Sequence, residues 1–160
     1  MVTVTKADLG RNVSWFIAEV LRNNLSDPNP SPRNGKDWIF KSQPTDPVTP
    51  QNTPRIIIDE TDAKFEQWDL GGSKYESRTI TLEIWVFAMG NNAIAIRDSL
   101  ADQIRQVLFN EDSKDANGKS LRDMKLRLRR LTESVEDHYG AHPKIIRAKR
   151  LEAVFTYYGD

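Results

Sequence analysis

A chain of 160 residues fits one domain, and 38% hydrophobic with 29% charged residues describes a modest core beneath a large polar surface. The absence of cysteine excludes a disulfide framework, a thiolate nucleophile and every zinc site built on cysteine, and it suits assembly in a reducing cytosol. Lys and Arg number 23, as do Asp and Glu, so no global field draws the chain to nucleic acid.

The polar start, Met1 to Lys6, lacks the apolar centre of a signal peptide. The spacing of Leu9, Val13, Phe16, Ile17, Val20, Leu21 and Leu25 predicts a helix over 6–25, with Asp8 as N-cap or first-turn acid. From 26 to 54 the character changes to a proline-rich loop. Pro28, Pro30, Pro32, Pro44, Pro47, Pro50 and Pro54 exclude a continuous helix or central strand there. The island Asp37 to Lys41 reads as an edge strand. Two readings of the loop stay open: a mobile surface loop, or an arm that orders against a partner with Trp38 and Phe40 as anchors. Either way, the stretch from Asp27 to Thr53 is expected to be removable without unfolding the domain.

A strand-rich block follows. Arg55 to Asp59 is a short β run, and Lys64–Leu70 with Lys74–Met89 forms a hairpin about Gly71-Gly72. Along the second arm Ile80, Leu82, Ile84, Val86 and Ala88 point to the core, while Thr79, Thr81, Glu83, Trp85 and Phe87 make a half-polar outer face. The longest apolar stretch, Ile80 to Met89, is too short to span a bilayer. Asn91-Asn92 caps a second helix over 93–109, with a buried stripe of Ile96, Leu100, Ile104, Val107 and Leu108 and a wet face including Arg97 and Asp98. After an Asn117-Gly118 turn, two strands close the chain, 123–131 and 144–158. The fold class is α+β: a mostly antiparallel sheet with two amphipathic helices packed on it, plus the proline-rich loop, in a single domain over 1–160.

Chemistry finds little foothold. His138 and His142 stand four apart, but Gly140 and Pro143 argue against the helix a zinc pair needs, leaving a solvated loop. Gly71-Gly72-Ser73-Lys74 has a P-loop fragment's composition, but a strand follows it instead of a helix. Asp59, Glu60 and Asp62 read as a charged turn before they read as a magnesium site. No catalytic residue, cofactor or metal is assigned, and an enzyme such as a metal-dependent nuclease ranks last.

Charge is unevenly spread. Residues 121–150 hold Arg122, Lys125, Arg127, Arg129, Arg130, Lys144, Arg147, Lys149 and Arg150 against Asp123, Glu133, Glu136 and Asp137. Residues 59–83 lean acidic through Asp59, Glu60, Asp62, Glu66, Asp69, Glu76 and Glu83. Alternating charges on strands usually mark a solvated face. An acidic and a basic face on one neutral molecule also suit head-to-tail self-association, with Trp85, Phe87, Arg127, Arg129, Arg147 and Lys149 as contact candidates. The alternative is a nucleic-acid-binding accessory protein using the basic strands of residues 121–150.

The order of elements, with Ile80-Thr81-Leu82-Glu83-Ile84-Trp85-Val86-Phe87, then Arg97-Asp98-Ser99-Leu100-Ala101-Asp102-Gln103-Ile104, then Leu151-Glu152-Ala153-Val154-Phe155-Thr156-Tyr157, resembles the tail terminator (tail-completion) and head–tail neck proteins of long-tailed bacteriophages. The resemblance implies a non-enzymatic virion protein assembled in the host cytoplasm as a homo-oligomeric ring, a hexamer. Its partners would be the tail tube protein and a head–tail connector or stopper. DNA would pass through the lumen without sequence-specific binding, and no membrane is involved.

The core assignment is directly testable. Ile84→Asp or Ile104→Asp should abolish folding by burying an unpaired charge, read as loss of the cooperative thermal transition.

Overall fold

The computed structural model describes residues 2–71, 73–138 and 145–159. Helix α1 (Leu9–Asn24) leads through a turn of 3-10 helix (Gly35–Asp37) to β1 (Ile39–Phe40). Strands β2 (Arg55–Leu70) and β3 (Ser73–Ala88) form a long hairpin. Helix α2 (Ala93–Phe109), β4 (Leu126–Val135) and β5 (Arg147–Tyr157) complete the fold. The five strands lie in the order β1-β2-β3-β5-β4, with β1 parallel to β2 and the other pairs antiparallel. This is the α+β architecture that the alternation of β3 and the two helical stripes imply.

Period-two patterning decides which side of the sheet is covered. Ile80, Leu82, Ile84 and Val86 of β3 are fully buried, as are Leu151, Ala153 and Phe155 of β5 and Ile56 and Ile58 of β2. Both helices pack on that side, where Phe16, Ile17 and Leu21 of α1 and Leu100, Ile104 and Leu108 of α2 join one core. Among the described residues, the opposite side carries no helix.

Several boundaries differ from expectation for identifiable reasons. The Arg55 run and the first hairpin arm are one strand, because an irregularity between Glu60 and Asp62 absorbs the polar stretch expected to be a turn. Beyond it, the pairs from Phe65↔Arg78 to Leu70↔Ser73 project past the end of β5 as a two-stranded ribbon. Gly71 has φ +57°, which suits the turn that joins the arms; Gly72 lies outside the described residues. Asp8 and Asn92 precede the helices in the left-handed conformation (φ 49° and 63°), and neither caps through its side chain. Strand β4 begins later and ends later than expected, and its pairing with β5 also slips once, between Leu128 and Arg130. The expected start of the last strand at Lys144 lies outside the described residues.

The proline-rich segment is built into the molecule. Trp38 is 1% exposed and Ile39 fully buried, both within the main core. Trp38 is therefore a core residue and not a free partner anchor: a side chain of that size gains most from burial wherever the chain passes an apolar groove. Polar ties hold the rest. Arg22 donates from Nε and Nη2 to the Ile39 carbonyl at 3.1 and 2.8 Å. Arg33 donates to the Asp27 carboxylate at 2.7 Å and to the Pro54 carbonyl at 2.6 Å. Arg55, 1% exposed, reaches Asp46 at 3.0 Å and lies over the Phe40 ring at 5.9 Å. Phe40 is thus half-buried beneath a cation of its own chain.

These ties reverse the expectation for removal of the loop. Deleting 27–53 takes out Trp38 and Ile39 and should unfold the chain, seen as loss of the far-UV circular dichroism signal. Trp38→Ala alone should cost about 3–5 kcal/mol in a urea titration.

Candidate interaction surface

The uncovered side of the sheet is read directly from the register, since cross-strand partners share a face. Across one row stand Ile57, Trp85 and Arg150; across the next, Asp59, Glu83 and Glu152. Further along lie Asp62, Thr81 and Val154, joined on β4 by Arg130. On β2 the face thus carries Asp59, Asp62 and Glu66, with Lys64 paired to Glu66 and the buried Arg55 paired to Asp46; it is mixed in the middle and basic on β4.

Trp85 and Phe87 lie two apart on β3 and stack, with ring centroids 5.7 Å apart and planes within 6°. With Ile57 they floor a cleft of about 480 Å³, walled by Val48 of the proline-rich loop on one side and by Ile146 and the 136–138 segment on the other. Asp59 faces into this cleft. Its carboxyl is raised above the usual range, first by burial and then by the neighbouring Glu83, with Lys41 opposing weakly. Arg150 donates to Glu83 at 3.1 Å and stands 3.9 Å from Glu136, so the cation nearest in register is already shared.

The basic residues singled out from sequence divide between the two faces. Arg127 and Arg129 are exposed on the open side. Arg127 is held by Glu111 at 2.7 Å, which also takes Arg122 at 3.2 Å. Arg129 sits at the β4 irregularity, where it lines a shallow pocket with Arg130, Lys64, Glu66 and Thr79, and has no side-chain ion pair or hydrogen bond among the described residues. Arg147 and Lys149 belong to the helix-covered side. Their partners are Asp137 for Arg147 at 3.0 Å, and Asp98 and Glu133 for Lys149 at 3.3 and 3.5 Å. The basic segment 121–150 is thus not one continuous nucleic-acid-facing strip, because alternate residues of a strand point to opposite faces.

The ion cluster around Asp137 corrects a second expectation. Arg97, expected on the wet face of α2, is 6% exposed and donates to Asp137 at 2.8 Å. Asp137 also accepts from Arg147 at 3.0 Å and from the Ala148 amide at 2.9 Å. Burial alone would raise this carboxyl, but those three donors outweigh it and hold it below the usual range. The cluster ties α2, the segment after β4 and the start of β5 together at one corner of the open cleft.

Among the described residues, no group of three or more His, Asp or Glu side chains is placed to hold a metal. His138 is described, but His142 is not, so the two-histidine segment lies partly outside the described residues.

No protein-family model matches the chain, and no curated protein matches it. A solved chain from a structure titled "Virion of native gene transfer agent (GTA) particle" is similar over 90% of this chain and 91% of its own length, at 12% sequence identity and a TM-score of 0.47. A likeness of that size decides nothing about what this chain does.

Asp137 should govern acid stability. Its carboxyl lies lower in the folded state than its ordinary 3.8, so the stabilisation is complete above that value and is lost as pH falls through the folded one. Asp137→Asn should lower the melting temperature at pH 7 and flatten the acid limb of the stability curve below about pH 4. An acid limb identical to wild type would contradict this role.

Proposed function

We propose that the chain is a non-enzymatic structural subunit of a viral tail or neck ring, a tail terminator that caps the tail tube and joins it to the head connector. The observation that carries this reading is the open sheet face. It is acidic at Asp59 and Asp62 of β2 and basic on β4, with Trp85 and Phe87 of β3 between them. A face with opposite charges at its two sides is not self-complementary by a two-fold rotation that sets like strand on like. It fits a copy displaced sideways, so that β4 of one meets β2 of the next, and such heterologous contacts make a ring when the rotation between copies closes.

The resemblance of the element order and of the β3 and α2 segments to tail terminator and neck proteins supports the same reading and supplies the hexamer, the tube and connector partners and the DNA-filled lumen. Tight gripping of phosphate would hinder passage, so a lumen should present few unpaired cations. Pairing of Arg122 and Arg127 with Glu111 on this molecule fits that requirement.

Size-exclusion chromatography with light scattering, followed by electron microscopy, tests the proposal. A closed ring of several copies that leaves DNA unbound at moderate salt is the expected result. A monomer that retains DNA with a steep salt dependence overturns it and favours an accessory nucleic-acid-binding role.

A further inference from the structure

The open face carries an unpaired charge of each sign. Asp59 faces the cleft beside Ile57, Trp85 and Phe87 and takes no hydrogen bond or ion pair from any described residue. Lys41, which acts on it at range, donates its own Nζ proton to Ser14 Oγ at 2.6 Å. Glu83 and Glu136 already occupy Arg150. Asp59 therefore has no paired cation among the described residues, and its carboxylate lines the same cleft as two stacked rings. On the edge strand β4, Arg129 is exposed and unpaired among the described residues, while its neighbours have partners: Arg127 in Glu111 and Arg130 in Glu152 at 3.9 Å.

A guanidinium suits such a cleft better than an ammonium. Its fork matches a carboxylate, and its flat face packs on an aromatic ring with little hydration to remove. Within one molecule Asp59 and Arg129 line different clefts and do not pair. Strands β3 and β5 separate β2 from β4, which puts the backbones of β2 and β4 about 14 Å apart, from three spacings of ~4.8 Å. Sideways displacement of a second copy removes that separation.

We propose that Arg129 of one copy inserts into the Asp59–Trp85 cleft of the next copy and fastens the subunit contact. The inference rests on the self-assembly reading above and names the residues that join the copies. Each copy then offers one socket and one plug, so the contact repeats until the ring closes. The pair is partly desolvated once the copies meet, the setting in which interfacial charge pairs contribute most.

The test is a charge exchange, with assembly measured by sedimentation velocity over a concentration series. Asp59→Arg and Arg129→Asp should each weaken association about tenfold or more, and the double exchange should restore it to within a few-fold of wild type. The milder Asp59→Asn and Arg129→Gln, which keep side-chain shape, should each weaken it in the same direction and decide the matter if the reversed variants do not fold. Association unchanged in the single variants, or a double exchange no better than either, overturns the proposed pair while leaving the ring reading intact. A wild-type chain that stays monomeric at every concentration overturns the ring reading itself.

Discussion

The alternation of β3 is the constraint on which the rest of the molecule depends. Paired along its length with β2 and for its inner half with β5, this strand directs Ile80, Leu82, Ile84 and Val86 to one side and Thr81, Glu83, Trp85 and Phe87 to the other. The first set can be removed from water only under the helices. Among the described residues, the second is covered only at one corner, by the edge of the proline-rich loop and by Ile146 with the 136–138 segment. One period-two pattern thus creates both the core and the surface proposed for assembly.

Strong periodicity makes the framework readable in the sequence: both helices, the hairpin, its turn and the inner face of β3 follow from spacing. The residues that depart from expectation share a cause, which is that residue type outranks position in the reading. Arg97 belongs to the buried row Ala93, Arg97, Leu100, Ala101, Ile104, Leu108, but its charge points to water. Arg147 and Lys149 have the same parity as Leu151, Ala153 and Phe155, so they face the helix side despite their charge. Position along the helix and parity along the strand would place all three. Trp38 has no such signal, because a two-residue strand within prolines has no period to read.

The open surface is half legible. Alternation places Trp85 and Phe87, and the opposite parity of Leu126 and Leu128 places Arg127 and Arg129. Asp59 reads as part of a charged turn, although the preceding Ile56-Ile57-Ile58 run already carries apolar side chains to both faces. Ile57, 2% exposed, shows that the open side is covered at that corner, and this cover is what leaves the neighbouring carboxylate partly dry. Long-range ties such as Arg97 with Asp137 join residues 40 apart and lie beyond any local pattern.

The two slips of register, one in β2 and one in β4, have a consequence for the free molecule. Strand β2, flanked by β1 only at Ile56 and Ile57, and the edge strand β4 each carry one slip, so a stray extended chain cannot pair in one register along the whole of either. Fibre-like stacking through backbone is thereby discouraged at both rims. Recognition is left to side chains, which tell a correctly placed partner from any other strand.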